Sequence, residues 1–141
     1  MPRKQAQRKL LVQRLWSLWN PVEALGLSPQ DMRQFRTQVR SQVTKVPPLA
    51  TFRQTRRGPK YHQGRIHYFM QCLKDGVELD PITIDNDCGN NLILPVPVVA
   101  DGNHRLIAHA LMGKPLIRAH YDGRVDLLRY LEGKRKTPPR D

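Results

Sequence analysis

The residues best suited to chemistry in this chain stand together at Asp101-Gly102-Asn103-His104-Arg105, between an apolar β-rich stretch and an amphipathic one. Gly102 lets the backbone turn sharply and lets a ligand approach closely. A helix opening there presents unpaired N–H groups and the positive end of its dipole. His104 and Arg105 add donors and charge in the first turn, so a phosphate is the natural occupant. Gly102, Asn103, His104 and Arg105 are the expected nucleotide- or phosphate-binding positions. Asp101 could orient His104 or Arg105, or hold a metal ion that accompanies the phosphates; Glu78, Asp80, Asp85 and Asp87 could add oxygen ligands for Mg²⁺ or Mn²⁺. If the chain is an enzyme, His104 is the acid/base or ligand, Arg105 stabilises phosphoryl charge and Asp101 holds the metal. The same residues also suit a plain strand-end turn, with Asn103 as a helix cap and Arg105 in a surface ion pair. His104 and His109, five apart, fall on different helix faces and make no zinc pair.

Charge is the second signal. The 141 residues carry 24 Lys+Arg and 12 Asp+Glu, a net +12. Residues 1–65 hold 14 of the cations and only Glu23 and Asp31 as acids, whereas residues 66–141 hold ten of each sign. A basic half joined to a neutral half points to a polyanion, with DNA the first expectation and RNA the second. The expected nucleic-acid contacts are the stripe Arg33, Arg36 and Arg40, followed by Arg53, Arg56, Arg57 and Lys60. No apolar run approaches the roughly 20 residues that span a bilayer, so no membrane partner is expected. Cys72 and Cys88 are too few for a disulfide framework and have no metal-ligand spacing, so a cytoplasmic setting is the default.

These groups need elements to position them. Leu11, Leu15 and Leu18 predict a helix over residues 5–19, with Trp16 and Trp19 beside them as core residues or contacts for a protein partner. Asn20-Pro21-Val22-Glu23 and Ser28-Pro29-Gln30-Asp31 both read as helix starts, the second opening a helix to about Val43. Residues 45–64, with three prolines, two glycines and five basic residues, read as a linker. From Gly64 to Lys74, Ile66, Phe69, Met70 and Leu73 predict an amphipathic helix. Strands are expected at Pro81–Asp85, Leu92–Ala100 and Leu116–Tyr121, and helices at Asn103–Met112 and Arg124–Leu131. The expected organisation is a basic helical extension and linker over residues 1–63, then a domain over residues 64–141. The fold class is α/β (α+β): a small mixed sheet with packed helices.

The stretches RIHYFMQCLKDGVELDPITID and VPVVADGNHRLIAHALMGKPLIRAHY resemble the ParB/sulfiredoxin superfamily, the ParB N-terminal-like domain with its DGxHR motif. The likeness covers about residues 64–122. It implies a sulfiredoxin-like fold whose DGxHR turn binds nucleotide phosphates, here a nucleoside triphosphate with Mg²⁺. It also implies a nucleic-acid-associated protein of bacterial, plasmid or phage type. Sulfiredoxins place a catalytic cysteine directly before the His-Arg pair, and here that position is Asn103, an amide with no thiol, so that reductase activity is not expected. Partition ParB proteins continue into DNA-binding segments after this domain, whereas the basic part here precedes it. Two alternatives use the same sequence differently: a metal-dependent nuclease or NTPase working at the turn, or a mobile-element or phage regulator that docks a protein through Trp16 and Trp19. On the two-part reading, truncation before Gly64 removes nucleic-acid affinity and spares nucleotide binding.

Overall fold

A computed structural model of the chain describes residues 7–33, 58–86 and 95–140. Its elements, in chain order, are β1 (Gln7–Leu11), α1 (Val12–Leu18), α2 (Pro21–Ala24), α3 (Pro59–Lys74), β2 (Ile82–Asp85), β3 (Val99–Asp101), α4 (Asn103–Leu111), β4 (Leu116–Asp122) and α5 (Val125–Leu131). Residues 29–33 are also helical. The four strands form one mixed sheet in the order β1-β4-β2-β3. β4 pairs antiparallel with β1 and parallel with β2, and β2 pairs antiparallel with β3. This is a small α+β arrangement, as expected from the sequence.

The start signals work as their chemistry requires. Asn20 Oδ1 accepts from the amides of Val22 and Glu23, with Pro21 in the first helical position. Ser28 and Asp31 form a reciprocal capping box: the Ser28 amide donates to Asp31 Oδ2 at 2.8 Å, and the Asp31 amide donates to Ser28 Oγ at 3.1 Å.

Three expectations are corrected. Residues 7–11 are a strand, not the first turns of a helix over 5–19; the helix begins only at Val12. The apolar helical period starts at Leu11, so residues 7–10 had contributed nothing to it. Pairing with β4, from Gln7 opposite His120 to Leu11 opposite Leu116, gives the backbone of residues 7–11 its partners and buries Leu10 completely. Helix α3 begins at Pro59, not at Gly64, using Gly58 as its cap and proline at its first position. One glycine within a 16-residue helix costs only about 1 kcal/mol, which packing outweighs. The strand expected over Leu92–Ala100 is β3, Val99–Asp101, and residues 95–98 lie outside any strand. Pro95 and Pro97 have no amide to give a ladder, and the side chain of buried Asn86 holds this stretch instead, donating to the Val96 carbonyl and accepting from the Val98 amide.

Helix α4 lies in the middle of the packing. Leu106 joins Ile82, Ile84, Ile117, Leu127 and Leu131 in the core on the sheet, whereas Ile107 and Ala108 join Ile66 and Met70 of α3, with Leu27 and Met32, in a second cluster. A helix buried on two sides holds its N-terminus in a fixed place. Leu10, Val12 and Leu15 belong to the sheet core. The 63/64 boundary falls inside α3, and a truncation before Gly64 would remove an edge strand and those three core side chains.

Candidate functional site

Strand β3 runs directly into α4 through Gly102, whose φ is +110°. A Cβ there would stand 2.3 Å from Ile82 Cγ2 and 2.6 Å from Ile82 Cβ. The glycine is therefore required twice, by its backbone angle and by the closeness of β2. Its position places the first turn of α4 at the edge of a cleft of about 530 Å³. One wall is α3, through Arg65, Tyr68, Phe69 and Cys72; the floor is Val77 to Pro81; the other wall is Asp101, Gly102, His104 and Arg105. The amides of the first helical turn have no carbonyl partner within the helix, and the positive end of the dipole lies there.

The motif's side chains divide their labour differently from the simplest expectation. Arg105 is almost wholly buried. Its Nη1 donates to the carbonyls of Asp80 (2.7 Å) and Pro81 (3.0 Å), and its Nη2 donates to Asp101 Oδ2 at 3.0 Å. The guanidinium thus ties α4 to the segment that enters β2, and Asp101 orients it from an exposed position. Asn103 Oδ1 accepts the indole N–H of Trp19 at 2.8 Å, so the amide anchors the segment after α1 to the start of α4. His104 lines the cleft, and its Nε2 lies 2.8 Å from Nδ1 of His62 on α3. Burial lowers the His104 pKa to about 4, helped by the neighbouring His62, Arg65 and Arg105, with Asp101 opposing. The ring is therefore neutral at pH 7. His109, further along α4, is likewise lowered chiefly by burial; its Nδ1 carries the proton and donates to the Arg105 carbonyl at 2.6 Å.

Of the expected nucleic-acid residues, Arg33 is exposed in the helical turn at residues 29–33, and Lys60 is exposed in the first turn of α3. Arg36, Arg40, Arg53, Arg56 and Arg57 lie outside the described residues, as do Asp87 and Cys88. Trp16 and Trp19 pack partly buried against the core. Among the described residues, no three His, Cys, Asp or Glu side chains converge as a metal site, and no helix is long and apolar enough to cross a membrane.

Two site residues escaped the sequence reading. Arg65 sits with its guanidinium 4.8 Å from the centre of the Phe69 ring and 5.8 Å from that of Tyr68. His62 was assigned to a linker and is a buried helical residue. The signal for Arg65 was present: Arg65, Tyr68, Phe69 and Cys72 recur at i, i+3, i+4 and i+7, a second stripe beside the apolar one. His62 had no such signal, because its partner lies 42 residues away.

No family model, curated protein or solved structure matches the chain.

Proposed function

We propose that the chain is a ParB-like nucleic-acid-associated protein, with a nucleotide- or phosphate-binding cleft at the start of α4 and a basic N-terminal half that holds DNA, or RNA, by its phosphates. The observation that carries this reading is the β3–Gly102–α4 junction facing Arg65 across the cleft. That arrangement offers backbone donors, a helix dipole and a guanidinium to one anion. The charge segregation supports the second part, since the whole net excess lies in residues 1–65. The ParB/sulfiredoxin likeness of residues 64–122 points to the same turn.

In this reading the motif residues have unequal roles. Gly102 and the amides after it receive the phosphate, with His104 and Arg65 beside it, while Arg105, Asp101 and Asn103 hold the turn in shape. Mg²⁺ would enter with the nucleoside triphosphate it accompanies, with Asp101 lining the same cleft.

Fluorescence anisotropy with labelled duplex DNA at several salt concentrations tests the basic half. Log affinity should fall linearly with log salt, by about 0.9 for each phosphate neutralised. Calorimetry with nucleoside triphosphates, with and without Mg²⁺, tests the cleft. Arg65→Ala and His104→Gln should weaken nucleotide binding at least several-fold and leave DNA affinity unchanged, whereas Arg53→Gln/Arg56→Gln/Arg57→Gln should do the reverse. Salt-independent DNA binding, or nucleotide binding indifferent to both cleft variants, would defeat the proposal. Hydrolysis measured in the same samples reads the nuclease or NTPase alternative.

A further inference from the structure

Two imidazoles from different helices meet at the back of the cleft. His62 Nδ1 and His104 Nε2 are 2.8 Å apart, and the rings are nearly parallel, 22° between planes and 5.1 Å between centres. Tyr61 stands edge-on to both. At this distance the two nitrogens share one hydrogen, one donating and the other accepting. One added proton is accommodated, because an imidazolium donating to an imidazole makes a charge-assisted bond. A second would set two cations against each other. The pair therefore has capacity for one proton, and it titrates as a unit.

Its surroundings decide when that proton arrives. Arg65 on α3 and Arg105 on α4 oppose it, and Asp101 at the end of β3 favours it. The N-terminal end of α4 adds positive potential, Lys60 opens α3, and the only charged residue on α2 is Glu23. Among the described groups the balance is positive, and burial acts in the same direction, so His104 is neutral in the free protein at pH 7. A dianion in the cleft reverses the sign of the local potential.

We infer that the cleft takes up one proton with each dianion it binds, stored between His62 and His104, so that anion affinity rises as pH falls. The inference rests on the anion-site reading above. It makes His62, which does not line the cleft, a positioning residue that stabilises protonated His104 by accepting its hydrogen bond.

The test is calorimetry of the full chain with sulfate, which stays dianionic from pH 5 to 8, in buffers of different ionisation enthalpy. The expected result is a binding heat that depends on the buffer, and a Kd that rises toward tenfold per pH unit over part of this range. His104→Gln, whose amide can still bond His62, should abolish both effects. His62→Phe should abolish them by removing the acceptor, and His62→Asn, which restores an acceptor near Nδ1, should bring them back in part. Thermal melts by circular dichroism establish that each variant is folded. Sulfate binding that is independent of pH, or a wild-type slope in His62→Phe, overturns the inference alone. Absence of sulfate binding at every pH overturns the anion site and the inference together.

Discussion

Replacing Gly102 with alanine tests whether the β3–α4 junction is built as described. Two costs are separable. At φ +110° a residue with a Cβ pays about 1–2 kcal/mol of backbone strain. The new Cβ would also lie 2.3 Å from Ile82 Cγ2, 2.6 Å from Ile82 Cβ and 3.1 Å from Ile82 Cα, against an ordinary carbon–carbon contact of about 3.5–4.0 Å. A rotamer change cannot relieve this, because the Cβ and Cα of a fully buried strand residue are involved, so β2 and α4 must move apart. Overpacking of that kind costs about 1–3 kcal/mol, for a total of roughly 2–5 kcal/mol. In a chain of this size that lowers Tm by roughly 6–20 °C. Urea unfolding followed by tryptophan fluorescence, with thermal melts alongside, measures it. Gly113→Ala is the internal control: its φ is +68°, yet nothing stands within 4 Å of the added Cβ, so it should cost only about 1 kcal/mol. If the two variants lose equal stability, the close approach of Gly102 to Ile82 is refuted.

Other outcomes follow from the same geometry. His104 has a folded pKa of about 4 against 6.5 when unfolded, so the unfolded chain binds more protons between those values. Stability is thus fully present above about pH 6.5 and falls toward pH 4 by up to about 3 kcal/mol, less what solvent screening removes. Urea midpoints from pH 7.5 to 4.5 should show this decline, and His104→Gln should flatten part of it. Arg105→Ala leaves the Asp80 and Pro81 carbonyls without their donor and should cost about 2–4 kcal/mol in urea. Asp101→Asn, on the exposed side of the same ion pair, should cost under about 1 kcal/mol; equal losses would show that Arg105 is not the tether. Asn20→Ala removes the cap of α2 and should cost about 1 kcal/mol by the same assay.

Local grammar made much of the fold legible. Asn20-Pro21 and Ser28–Asp31 act as helix starts because their side chains bond amides two or three residues away, an interaction that needs no tertiary partner. The alternation in Ile82–Asp85 and Leu116–Asp122 follows the pleat, so the buried faces of β2 and β4 could be read directly. Residues 7–11 could not, since their strand exists only because β4, more than a hundred positions later, offers an edge. Helix α3 was read short because Gly64 looks like punctuation when its packing against α4 is unseen.

The candidate site divides the same way. The sequence determined that a glycine, a helix start, a histidine and an arginine follow an apolar strand, and that the chain's charge excess lies on its other half. Spacing along one element sets those relations, and they hold in any fold that keeps the element. Only the tertiary structure decided what each side chain faces. It turned Arg105 into a tether for the Asp80 and Pro81 carbonyls, used Asn103 to hold Trp19, and brought Arg65 and His62 to the turn from another helix. A side chain's partner depends on which elements pack together, and packing is settled by burial summed over the whole chain, not by any one segment.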